Sequence, residues 1–82
     1  MNLQERFEEA IAATKMLAER PDNMTLLRLY ALYKQGSVGD AVGSPGFGDM
    51  VGRAKFNAWD ALKGTAREVA MQEYIDLVEV LK

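Results

Sequence analysis

The 82-residue chain contains no cysteine and no histidine. Without thiols it can form neither a disulfide nor a thiolate metal site. Without imidazole, the usual zinc sites, Ser-His-Asp triads and histidine general bases are excluded too. Carboxylates, lysines and tyrosines could still carry acid-base chemistry, but no convergent pair of acids is identifiable. Catalysis is therefore disfavoured without being disproved, and neither a metal nor a cofactor is expected. Long apolar runs are missing, and the opening MNLQERFEEA is acidic and amphipathic, unlike a signal or transit peptide. A cytoplasmic protein without stable membrane insertion is expected. The net charge of -2 argues against nucleic acid as a partner, because that binding depends on basic groups neutralising phosphates. One domain spanning 1–82, and a monomer, are expected at this length.

The charge that is present is unevenly spread. Residues 1–27 hold three basic and five acidic groups, residues 28–67 six and three, and residues 68–82 one and four. A basic middle between acidic ends is either ordinary surface variation or a local site for a small anion.

Periodicity predicts an all-α chain. Leu3, Phe7, Ala10, Ile11, Thr14 and Ala18 recur at helical spacing until Pro21 ends the run. A second helix opens near Asp22 or Asn23, either of which can cap it, and runs through MTLLRLYALYKQ to an expected stop at Gly36. A third lies in GRAKFNAWDALK, with Lys55, Phe56, Trp59, Leu62 and Lys63 on one side, until Gly64 interrupts it. Thr65 and Glu68 have the spacing of a capping box, predicting a fourth helix from about Ala66 to Leu81. Its apolar stripe is Ala70, Met71, Tyr74, Leu77, Val78 and Leu81. Between the second and third helices, residues 36–52 hold six of the seven glycines and a proline. A connection of this length either serves a site or is a plain crossover.

The segment YALYKQ puts Tyr30, Tyr33 and Lys34 on one helical face, at i, i+3 and i+4. Lys55 precedes Phe56 and lies one turn before Trp59; Tyr74 lies midway along the fourth helix. Lysines and tyrosine hydroxyls suit a phosphate, and aromatic rings can stack on a purine, so these residues could together hold a nucleotide. Taken singly, each is an ordinary core or surface residue: an aromatic stripe at this spacing usually means packing, and methionines at 16, 24, 50 and 71 usually mean core.

Three ordered blocks extend this reading. YALYKQGSVGD, AKFNAWDALKGT and AMQEYIDLVEVLK resemble the acyl-CoA-binding protein family from about Phe7 to Lys82. The resemblance implies a four-helix bundle of up-down-down-up topology, with a long glycine-rich loop between helices 2 and 3. It implies non-covalent carriage of medium- and long-chain fatty acyl-CoA, with no reaction. Carried over block by block, Tyr30, Tyr33, Lys34, Lys55 and Tyr74 surround the adenosine and its 3'-phosphate, with Ala31 and Leu32 as neighbouring contacts. Lys15 matches a family lysine on the first helix. The acyl chain is expected in an apolar groove lined from helices 1 to 3, including Leu26 and Leu27. The sequence departs from the family pattern at Val51, where a second lysine is frequent, at Phe56 in place of tryptophan, and at Met50 in place of phenylalanine. The glycine-rich loop is one residue shorter, and the basic tail of many relatives is missing.

Two rivals come from other classes. A helical protein-interaction module would use Leu32, set among Thr25, Arg28 and Gln35, as an exposed apolar contact without any nucleotide. A thioesterase or isomerase would need the carboxylate pair that is not found.

Overall fold

Four helices follow one another: α1 (Leu3–Thr14), α2 (Asn23–Ser37), α3 (Met50–Asp60) and α4 (Arg67–Leu81). The computed structural model describes residues 1–44 and 49–82. Residues 45–48 of the expected glycine-rich loop lie outside the described residues. Among the described residues there is no strand, and no helix is long and apolar enough to cross a membrane.

The helix ends follow from local hydrogen bonding and correct several expectations. Asn2 caps α1 by accepting the Glu5 N–H at 2.8 Å, but the helix stops at Thr14 and does not reach Ala18. The Thr14 hydroxyl donates to the Ile11 carbonyl at 2.6 Å. That carbonyl would otherwise receive the Lys15 N–H, which bonds to Ala12 instead. The Asp22 carboxylate caps α2, accepting the Thr25 N–H at 2.8 Å. Gly36 does not end α2. The stop comes at Gly39, whose φ of 99° lets its N–H turn back to the Lys34 carbonyl beside that of Val38. Asp49 caps α3 through the Gly52 N–H, so α3 starts before Gly52 and ends at Asp60, leaving Leu62 and Lys63 in the following turn. The expected Thr65 capping box does not form: Ala66 is the N-cap of α4, without a side-chain bond. Thr65 is engaged elsewhere, its N–H with Leu62 and its carbonyl with Gln35.

α2 packs against both α3 and α4, and α1 packs against α4. Lys55 meets Tyr30 and Trp59 meets Lys34, the same offset twice, so α2 and α3 run parallel. α4 runs against α2, since Gly36 meets Met71 while Arg28 pairs with Glu73 at 3.3 Å. The topology is the expected up-down-down-up bundle. Its core joins Phe7 and Ala10 of α1, Leu29 and Leu32 of α2, and Ala70, Met71, Tyr74, Ile75 and Val78 of α4. Of the expected α4 stripe, Ala70, Met71, Tyr74 and Val78 are buried, Leu77 and Leu81 are only partly so, and the buried Ile75 is not part of it. Leu32 is 1% exposed and cannot serve as an external contact, which removes the anchor of the interaction-module reading.

Gly36 is needed for close approach. A Cβ there would sit 3.1 Å from Phe7 Cζ and 3.2 Å from Met71 Cγ, both in the core. Gly36→Val is expected to destabilise the fold by about 1–3 kcal/mol through overpacking. Gly36→Ala should cost less, because the helix regains about 0.5–1 kcal/mol of propensity. Urea midpoints of the two variants check the order; equal stability of Gly36→Val and wild type would contradict it.

Candidate functional site

The parallel seam of α2 and α3 carries two ring–cation pairs. Lys55 Nζ of α3 lies 5.4 Å from the ring centroid of Tyr30 on α2. One turn on, Lys34 Nζ of α2 lies 4.8 Å from the ring of Trp59 on α3. Each helix thus supplies one cation and one ring. Neither lysine takes part in the ion pairs among the described residues, which are Arg28–Glu73 and Lys82–Glu79.

A groove of ≈ 690 Å³ opens along the same seam, within the usual range of about 300–1,000 Å³ for small-molecule sites. Tyr30 and Lys55 line it together with Leu26, Leu27, Val51 and Ala54, while Asn23, Met50 and Arg20 complete its lining. The groove is thus mostly apolar and carries charge at Lys55 and Arg20. The expected groove residues Leu26 and Leu27 are both present, but the walls are α2, α3 and the α1–α2 connection, without α1. Of the lining, Arg20, Asn23 and Ala54 are not among the site residues expected from sequence. Ala54 follows Met50, and Leu27 follows Asn23, at i, i+4, a signal that the α3 and α2 faces carry; Arg20 lies outside any helix and gives no periodic signal. A larger concavity, ≈ 770 Å³, lies between α1 and α4. It holds none of the aromatic or lysine candidates, and its charges are mixed, with Glu9, Asp76 and Glu79 beside Arg6 and Lys82.

Tyr33, Tyr74, Ala31, Leu32 and Lys15 do not line the groove. Tyr33, 39% exposed, stacks at 6.4 Å on Phe7, which meets Tyr74 edge-on at 5.3 Å. Phe7 therefore links the half-exposed ring to the buried one. Burial pushes the Tyr74 phenol above its ordinary value, a shift that a hydrogen bond with Thr14 opposes. Ala31 and Leu32 are both 1% exposed, so their side chains support the site from within the core. Lys15 is the exposed C-cap of α1, and among the described residues no ion pair or cation–π pair joins it to Tyr30, Lys34 or Lys55.

Beyond Lys34, the same sequence block changes role from site to scaffold. Gln35, 1% exposed, donates from Nε2 to Asp40 at 2.9 Å and to the Thr65 carbonyl at 2.8 Å. Asp40 also accepts the Gly64 N–H at 2.9 Å. Arg67 donates to the Gly36 and Ser37 carbonyls. These bonds tie the end of α2 to the α3–α4 turn. The Gly64 N–H, then the Gln35 amide, hold the Asp40 carboxyl below its usual range. A depressed carboxyl contributes stability that is complete above its unfolded value of about 3.9 and is lost as pH falls through the lower native value. Denaturation of wild type and Asp40→Asn across pH 2–6 should therefore show wild type losing stability faster toward acid, below about pH 4; parallel curves would contradict this.

Comparison with known proteins gives the class to which this bundle and seam belong. Residues 4–78 match the family model described as acyl CoA binding protein. The chain is 49% identical over 76 residues to acyl-CoA-binding protein homolog 1 of Caenorhabditis elegans, covering 92% of this chain and 88% of that protein. The fold superposes on the crystal structure of Oryza sativa acyl-CoA-binding protein 2 with a TM-score of 0.91 at 42% identity, covering 98% of this chain and 90% of that one. It is also 46% identical over 79 residues to enoyl-CoA delta isomerase 2 of Rattus norvegicus, covering 95% of this chain but only 20% of that larger protein. The chain belongs to the acyl-CoA-binding protein family.

Proposed function

We propose that the protein binds fatty acyl-CoA thioesters of medium and long chain and carries them without altering them. The observation that supports this most directly is the adjacency of the Tyr30–Lys55 pair to the apolar groove containing Leu26 and Leu27. An acyl-CoA has a tail that avoids water and a phosphorylated head that must keep polar partners, and this seam offers both.

Magnitudes separate the two roles. Burying a methylene contributes about 0.8 kcal/mol, so ten could supply up to about 8 kcal/mol before ordering costs, equivalent to roughly micromolar binding. That term alone does not distinguish a free fatty acid from its CoA thioester. Charge-assisted hydrogen bonds of about 1.5–3 kcal/mol each from Lys34 and Lys55 to the 3'-phosphate supply the distinction. The Tyr30 hydroxyl assists, Tyr33 stacks on the adenine, and Tyr74 backs Tyr33 through Phe7. The groove side chains shelter the thioester and its chain from water while the complex moves between enzymes. The shared segment makes up only 20% of the isomerase relative, so the bundle is the carrier part and catalysis is a property of other segments.

Titration calorimetry with palmitoyl-CoA, free CoA and palmitate tests this. Palmitoyl-CoA should bind most tightly, and free CoA and palmitate should each bind more weakly. Equal affinity for palmitate and palmitoyl-CoA would contradict the assignment of the head group.

A further inference from the structure

We infer that Trp59 is a positioning residue for Lys34, and that the two ring–cation pairs present their ammonium groups to the ligand's phosphate without neutralising them; this rests on the acyl-CoA reading above. A cation intended for a phosphate poses a conflict. A neighbouring carboxylate would hold it in place but compete with the ligand, whereas a solvated lysine would have to be ordered at every binding event. An aromatic face resolves the conflict, since its quadrupole attracts the ammonium group while leaving its donors and net charge available.

Both lysines are held in this way. Lys34 Nζ is 4.8 Å from the Trp59 ring and Lys55 Nζ is 5.4 Å from the Tyr30 ring, and neither joins an ion pair among the described residues. The two pairs are four residues apart on each of two parallel helices, a spacing of about 6 Å along the axes. That spacing lets one phosphate dianion, with its ester oxygen, engage both groups.

Trp59 is also the better fixed of the two rings. It is 7% exposed, its Nε1–H donates to the Gly39 carbonyl at 2.7 Å, and Phe56 meets it edge-on at 6.3 Å. Gly39 in turn bonds back to the Lys34 carbonyl at 3.3 Å. Lys34 is thereby tied at its main chain and its side chain to the same turn, and the backbone that ends α2 also sets the ring on which the lysine rests.

The test is calorimetry of palmitoyl-CoA and palmitoyl-3'-dephospho-CoA with wild type, Trp59→Phe and Trp59→Leu, each also in a Lys34→Gln background. The ratio of the two affinities is the gain due to the 3'-phosphate. Trp59→Leu should reduce that ratio by about two- to five-fold, the span of a solvent-accessible cation–π contact. Trp59→Phe, a weaker platform without the tether to Gly39, should reduce it less. With Lys34→Gln, neither Trp59 variant should change the ratio further. If Trp59→Leu does not fold, as judged by circular dichroism, Trp59→Phe decides. An unchanged or larger ratio in the folded variants, or an equal fall with Lys34→Gln present, overturns the inference. A wild type that binds both ligands equally would instead overturn the phosphate reading on which it rests.

Discussion

Replacing Lys34 and Lys55 together by alanine is expected to weaken acyl-CoA binding by about 10²- to 10⁴-fold. Each lysine is assigned a charge-assisted hydrogen bond of about 1.5–3 kcal/mol, and about 1.4 kcal/mol corresponds to a factor of ten. Lys55 is exposed and Lys34 only half-buried, so solvent screening places the result toward the lower end. Neither lysine belongs to the core cluster, so circular dichroism should remain that of wild type, with only the small loss of stability expected from removing two ring–cation contacts. Calorimetry with palmitoyl-CoA provides the number. A loss below about threefold would mean that the head group is held elsewhere.

The second large effect is on stability. Phe7→Ala should destabilise the fold by about 3–5 kcal/mol, the usual cost of removing a buried aromatic side chain. A domain of this size has only about 5–15 kcal/mol in total, so the variant will be close to unfolding. Phe7 is 1% exposed and lies between three partners: Tyr33 at 6.4 Å, Tyr74 at 5.3 Å, and the backbone of α2 at Gly36. Its loss leaves a cavity where α1, α2 and α4 meet, and it also removes the support beneath Tyr33. Phe7→Leu, which fills most of that space, should be markedly milder. Urea denaturation of both variants orders them, and a Phe7→Ala loss below about 1 kcal/mol would contradict the packing described here.

The helices and their core faces were legible in the sequence because they depend on local spacing. The α4 stripe of Ala70, Met71, Tyr74 and Val78 is buried as its period implies, and Asp22 caps α2. The errors occurred where a distant partner decides. Gly36 resembles a helix stop, yet it lies within the helix, and the glycine there answers to Phe7 and Met71, which crowd the place of a Cβ. Leu32 resembled an exposed apolar residue because α2 has apolar residues on two sides. One side, with Leu29 and Leu32, faces the core shared with α4; the other, with Leu26, Leu27 and Tyr30, lines the groove with α3. A helix between two neighbours has no single amphipathic stripe, so periodicity alone cannot identify its solvent face. Thr65 had the capping-box spacing, but Gln35, thirty residues earlier, uses its carbonyl and α4 begins one residue later.

The site was partly legible for the same reason. Tyr30, Tyr33 and Lys34 share a face by spacing alone, helix placement adds Lys55 and Tyr74, and the family resemblance adds Lys15, Ala31 and Leu32. Only the fold pairs Lys55 with Tyr30 and Lys34 with Trp59, because that pairing requires the parallel arrangement of α2 and α3. It also separates the block YALYKQGSVGD into a part proposed to bind the ligand, through Lys34, and a structural part, in which Gln35, Gly39 and Asp40 hold the end of α2 against Trp59, Gly64 and Thr65.

The most direct test of the proposed carrier role is to map amide and side-chain NMR shifts of the whole chain during titration with palmitoyl-CoA. The largest changes should fall on Tyr30, Tyr33, Lys34 and Lys55 together with Leu26, Leu27 and Ala54 along the α2–α3 seam. Changes confined to the α1–α4 concavity around Glu9, Asp76 and Glu79, or no saturable change at all, would contradict it.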